Sequence, residues 1–116
     1  MVAVMKKFAL AALVVACGSP ALAGASNFTL VNGTGGALAE LSIARSGTHE
    51  WKSLGAAPAA GARSPVSFSD PDCAFDIRAT VAGSGPVTWA GINLCDVKSV
   101  TLKRDESAGA WVDYDQ

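Results

Sequence analysis

Period-two alternation runs through the chain downstream of residue 26. Its clearest stretch is 73–81, Cys-Ala-Phe-Asp-Ile-Arg-Ala-Thr-Val, which puts Phe75, Ile77, Ala79 and Val81 on one face and Asp76, Arg78 and Thr80 on the other. Side chains alternate sides along an extended backbone, so this pattern predicts a strand with one buried face. Residues 82–86, with two glycines and a proline, read as a hairpin loop, and 87–94 as the returning strand with Val87 and Trp89 in phase. Phe28 and Leu30 alternate within 27–32, Leu41 and Ile43 within 39–45, and Val100 and Leu102 within 97–102. A short strand is expected at 65–69, and a last one holding Trp111, Val112 and Tyr114.

The segments between carry turn chemistry. Gly33-Thr34-Gly35-Gly36, Ser46-Gly47 and Asp70-Pro71-Asp72 are turns, the last because Pro fixes φ and Asp bonds its own backbone. Trp51 and Leu54, three apart, could share one face of a single helical turn. The alanine-rich 55–63 is interrupted by Pro58 and Gly61 and reads as an exposed connection. These elements predict an all-β fold, a small antiparallel β-sandwich of about seven short strands with one disulfide. The expected core is Phe28, Leu30, Leu41, Ile43, Phe75, Ile77, Trp89, Val100 and Leu102.

The first 23 residues follow a different pattern. Lys6 and Lys7 precede an apolar run over 8–16, well short of the roughly 20 residues a spanning helix needs, and Ala21-Leu22-Ala23 offers a small-x-small cleavage site. Residues 1–23 are therefore expected to be a signal peptide and 24–116 a single β domain, periplasmic or secreted. Met5 is also a natural start. Val14-Val15-Ala16-Cys17 resembles a lipobox, so the alternative is lipidation at Cys17, which would anchor the protein to the cell envelope.

The leader inflates the hydrophobic fraction of 50%. The larger apolar side chains left in 24–116 make a core small enough to need a covalent staple. Either processing route removes Cys17 from thiol chemistry. Cys73 and Cys95 flank the predicted hairpin, one at its start and one at its end, and a disulfide between them is expected in an oxidising compartment.

The same residues carry a family resemblance. Phe28-x-Leu30-x-Asn32-x-Thr34-Gly35, then Ser46-Gly47, Trp51 and Leu54, then Cys73-Ala74-Phe75-Asp76-Ile77-Arg78 and Ile92-Asn93-Leu94-Cys95, resemble a family of small secreted bacterial β domains of unknown function with a paired-cysteine pattern. The resemblance covers residues 27–103 and departs at 55–63 and beyond Arg104. It implies a fold and carries no activity.

Charge and chemistry narrow the function classes. Without Lys6 and Lys7 the chain keeps seven basic residues against ten acidic ones, which argues against nucleic acid as a partner. His49 is the sole histidine, so any Ser-His-Asp triad would have to use it, with Glu50 beside it. No Gly-x-Ser-x-Gly elbow accompanies it. Asp70, Asp72 and Asp76 have a spacing that could supply oxygen ligands to calcium, but Asp76 lies on a strand and Pro71 stiffens the middle. Asp76 and Arg78 share a strand face and could form an exposed ion pair. Trp51, Trp89 and Trp111 could line a sugar-stacking platform, with Trp89 in the core and Trp51 the more exposed. Asn27 and Asn32 each open a glycosylation sequon. No cofactor is implied. The expectation is a non-enzymatic binding or structural module of the envelope whose partner is an envelope protein or small ligand. The alternative is a small hydrolase, or a calcium-dependent enzyme or binding protein, using His49 and Glu50 or the three aspartates.

Overall fold

The computed structural model describes residues 24–115. The expectations for 1–23, Cys17 included, lie outside the described residues. Eight strands follow in order: β1 (Phe28–Gly33), β2 (Leu38–Arg45), β3 (Lys52–Ser53), β4 (Arg63–Val66), β5 (Ala74–Val81), β6 (Gly85–Asn93), β7 (Ser99–Asp105) and β8 (Gly109–Asp115). They form two four-stranded sheets, β4-β1-β7-β8 and β3-β2-β5-β6, whose inner faces contribute to one shared core. The all-β sandwich is as the alternation predicts. No helix occurs among the described residues.

Two details differ. The extra strand is β3, where a helical turn was expected. The edge of β2 presents unpaired backbone groups there, and the chain satisfies them: Ser53 pairs with Ser42, Lys52 with Ile43, and the Leu54 N–H donates to Leu41 O at 3.0 Å. The second difference is that β1 and β7 run parallel, Thr29 beside Ser99 and Leu30 beside Val100. The remaining pairings are antiparallel.

All nine expected core residues are buried. Ile92 and Leu94 are buried too, although they are out of phase with Val87 and Trp89. The cause is a bulge in β6. Register shifts between Phe75 and Ile77, so Ala90 and Gly91 together face Asp76. The extra residue reverses the side-chain parity of the rest of the strand. Gly91 holds φ at 68°, a region that costs most other residues. Its N–H donates to Asp76 Oδ1 at 2.9 Å.

One polar side chain sits inside. Asn32 continues the Phe28–Leu30 phase and is 0% exposed. Its Nδ2 donates to Gly36 O at 2.9 Å and Pro58 O at 3.1 Å, and its Oδ1 accepts the Thr34 N–H at 3.1 Å and the Thr34 hydroxyl at 2.7 Å. Asn32 thus holds both the turn after β1 and the 55–63 segment. That segment is not simply an exposed connection. Pro58 is buried, Ala57 packs on the core, and the Gly61 N–H donates to Asn32 O at 2.9 Å. A buried amide needs all its partners, and this crossing supplies one of them.

The Cys73–Cys95 disulfide forms, with Cα atoms 5.1 Å apart across 22 residues. It lies where the β5–β6 ladder ends, beside the Leu94 N–H to Cys73 O bond of 2.9 Å. Trp89 ties the two sheets at the opposite corner: its indole N–H donates to Lys103 O at 2.8 Å.

Candidate functional site

The expected acidic cluster divides in two. Arg45, at the end of β2, takes Asp70 Oδ1 at 3.1 Å through Nη2, Asp70 Oδ2 at 3.3 Å through Nε, and Asp72 Oδ2 at 3.1 Å through Nε. Asp70 Oδ1 also accepts the Asp72 N–H at 2.9 Å, an Asx turn around Pro71. That backbone N–H, with Arg45, holds the Asp70 carboxyl below its ordinary pKa despite the opposing effect of desolvation. The Asp70 hydrogen bond and charge raise the Arg45 pKa. The same turn binds the start of the domain, Ala25 N–H donating to Asp70 O at 2.7 Å and Asp70 N–H to Ala25 O at 3.1 Å.

Asp76 stands apart from this clasp. It accepts the Ser46 hydroxyl at 2.8 Å and the Gly91 N–H, so its work is to seat the β6 bulge. Among the described residues no group of three or more His, Cys, Asp or Glu side chains is placed to hold a metal ion. The expected Asp76–Arg78 ion pair is absent as well. Arg78 instead lies 4.1 Å from the centre of the Trp51 ring, a cation–π stack, because the guanidinium gains a flat apolar partner on the sheet surface.

His49 and Glu50 are exposed on the β2–β3 connection. The structure brings no serine hydroxyl to His49 among the described hydrogen bonds, and the Glu50 backbone N–H reaches only Thr48 Oγ1, at 3.5 Å. The three tryptophans occupy three places rather than one platform. Trp89 is core, Trp51 is half-buried under Arg78, and Trp111, at 41% exposed, is the one open to solvent. Trp111 lies on the outer face of an edge strand, which is why the expectation favouring Trp51 fails. Asn32, being fully buried, is closed to a glycan, and Asn27 Oδ1 accepts the Phe68 N–H at 2.7 Å.

The surface that does converge is the open side of the sandwich, between edge strands β3 and β4. A cleft of about 190 Å³ is lined by Ile43, Ala44, Phe68 and Phe75, with Arg45, Glu50, Lys52 and Asp70 around its mouth. A second hollow of about 400 Å³ runs on between 52–54 and 65–69 and shares Ile43, Lys52 and Phe68 with the first. Phe68 is the wall common to both. It is fixed by edge-to-face contacts with Phe75, ring centres 5.2 Å apart, and with Phe28, 6.1 Å apart. Arg45 is occupied by Asp70 and Asp72, which leaves Lys52 and Glu50 as the exposed charges beside an apolar floor. Val66 and Phe68 are in phase in the sequence, so an inward Phe68 was legible there. The neighbour relation of β3 and β4 was not.

A shallow dish of about 530 Å³ on the outer face of the second sheet holds Glu40, Trp51, Arg78, Thr80 and Pro86. Within it Arg78 stacks on Trp51, and the Thr80 hydroxyl donates to Glu40 Oε1 at 3.1 Å.

No protein-family model matches the chain, and neither does any curated protein. The fold has a solved counterpart. The NMR structure of a protein from Eubacterium rectale is similar at a TM-score of 0.57, covering 86% of this chain and 96% of that one, with 15% sequence identity. At that identity the likeness concerns the fold alone.

Proposed function

We propose that the protein is an exported, non-enzymatic binding module that receives an extended segment of a partner protein in the trough between β3 and β4. The observation that carries this reading is the trough itself: a fixed apolar floor of Ile43, Phe68 and Phe75 with Lys52 and Glu50 at its mouth. Its deeper part, about 190 Å³, falls below the roughly 300–1,000 Å³ of small-molecule sites and suits a single apolar side chain. The longer hollow beside it suits the chain on either side of that anchor. Catalysis asks for convergent groups with altered acidity in one pocket, and here Asp70 and Asp72 are spent on Arg45 and Asp76 on the β6 bulge. The leader, the disulfide and the resemblance to secreted bacterial domains support export.

The test is site-specific photo-crosslinking in envelope extract, with the crosslinker at position 52 and, as a control, at position 108 on the β7–β8 turn. The expected result is a defined protein adduct from position 52 alone, with affinity for the isolated partner lost in Lys52→Glu at unchanged fold. Turnover abolished by His49→Ala, or calcium-dependent stabilisation lost in Asp72→Ala, would assign the protein to the enzyme or calcium reading instead.

A further inference from the structure

The four sheet edges are not equally guarded. β3 is two residues long. On β4 the Asn32 N–H donates to Ala62 O, and backbone groups alternate sides, so Ser64 and Val66 face β1 while Arg63 and Pro65 face outward. Pro65 therefore removes a donor from the free edge. β6 carries Pro86 and the Gly91 bulge. β8 has seven residues, no proline and no bulge in its pairing with β7. It also bears the large exposed apolar side chains Trp111 and Tyr114, 41% and 43% exposed.

The direction of its backbone groups follows from β1. Thr29 N–H donates to Lys98 O, so in the parallel β1–β7 pair Val100 and Leu102 face β1 and the odd residues of β7 face β8. Through the β7–β8 register, Trp111, Asp113 and Asp115 turn their main-chain groups to β7. Ala110, Val112 and Tyr114 then present theirs to the open edge. β6 reaches this region through the Asn93 N–H to Tyr114 Oη bond of 2.9 Å, a contact with the side chain that leaves the main-chain groups of the edge unpaired.

We propose that β8 is a self-association edge, on which a second copy of this chain adds its own β8 in antiparallel register with the two-fold axis at Val112. The outward groups are symmetric about that residue. Val112 meets Val112 of the second copy, and Ala110 meets Tyr114 in both directions, so each outward N–H finds a C=O. The side chains agree with this register. Trp111 lands opposite Asp113 of the second copy in a non-hydrogen-bonded pair, where side chains come closest. Among the described residues neither the Trp111 indole N–H nor the Asp113 carboxylate has a partner, and one is a donor only while the other is an acceptor only. Asp115 falls opposite Gly109, so no acid faces another acid. The pairing joins two four-stranded sheets into one of eight and stands independently of the β3–β4 trough, which lies on the other side of the sandwich.

Sedimentation analysis of the purified full chain over a wide concentration range is expected to show a mass rising from one chain to two. Residue-resolved amide exchange is expected to slow at Ala110, Val112 and Tyr114 as the dimer forms. Val112→Pro, which deletes an outward N–H without touching the β7 ladder, should weaken dimerisation by about tenfold or more. Trp111→Phe, on an exposed face where folding is not at issue, should weaken it by about threefold or more. A single-chain mass at every concentration overturns the proposal. So does a dimer in which those three amides exchange freely, and so does their protection by a lysine-rich extended peptide while the chain alone remains monomeric.

Discussion

Replacing Asn32 should be among the most damaging single changes to this fold. Asn32→Ala removes two donors and one doubly used acceptor at a site that is 0% exposed. The losses are not equal. The Pro58 carbonyl is bonded in a buried setting and becomes an orphan acceptor, which costs about 1–3 kcal/mol. The groups on Gly36 and Thr34 are part-buried and regain water, so each loses only the net worth of an ordinary hydrogen bond, about 0.5–1 kcal/mol. The total is about 2.5–6 kcal/mol, a large share of the roughly 5–15 kcal/mol typical of a domain. Asn32→Asp has the same shape yet should be worse at neutral pH. It replaces the donating amide with a carboxylate oxygen that faces two carbonyl oxygens, and it buries a charge. The introduced carboxyl has its folded-state pKa raised above the unfolded value, so the penalty is full at pH values above the folded pKa and shrinks as pH falls through it. Urea unfolding followed by tryptophan fluorescence, to which buried Trp89 contributes, measures both variants. If Asn32→Ala and Asn32→Asp both stay within about 1 kcal/mol of the parent, the account of Asn32 as the joint between β1 and the 55–63 segment is wrong.

Two further outcomes follow from the clasps. Reducing the Cys73–Cys95 bond, or changing both residues to Ser, should lower stability by about 3 kcal/mol, from a cross-link spanning 22 residues of sequence; unfolding curves with and without reductant check it, and coincident curves would reject it. Asp70 has a folded-state pKa below its unfolded value, so its contribution is present above the unfolded pKa of about 3.9 and is lost as pH falls through the lower folded value. Asp70→Asn should flatten that acid limb, seen as a smaller drop in thermal midpoint between neutral and strongly acid solution.

Much of the fold was legible because each strand has one buried face. Phe28, Leu30, Ile77 and Leu102 announce themselves by alternation alone, since burial of one face is a local property of the strand. Ile92 and Leu94 escaped that reading because a bulge reverses parity, and the signal for it was a glycine in mid-strand, Gly91. Asn32 stood in the inward phase of β1, and a polar residue in that phase was the available clue to a buried amide. Its N-x-T context is a sequon match of little weight in a chain with a bacterial-type leader, and it carried no hint of burial. The trough was not legible at all. Its walls come from β2, β3, the residues after β4, and β5, and which edges become neighbours depends on how the sheets cross over.

The parallel pairing of β1 with β7 sets an order of assembly. In the second sheet β2–β3 and β5–β6 join near neighbours in sequence, and β2–β5 spans a middle distance, pairing Arg45 with Phe75 and Leu38 with Val81. The first sheet cannot close that way, because Thr29 waits for Ser99 and the inner edge of β1 stays open until nearly the whole chain exists. Long-range closure of this kind is slow to form and leaves a strand exposed meanwhile. A chain that emerges from its N-terminus therefore holds β1 unfinished to the last. Losing the final strands would leave a half-built sandwich rather than a smaller stable one.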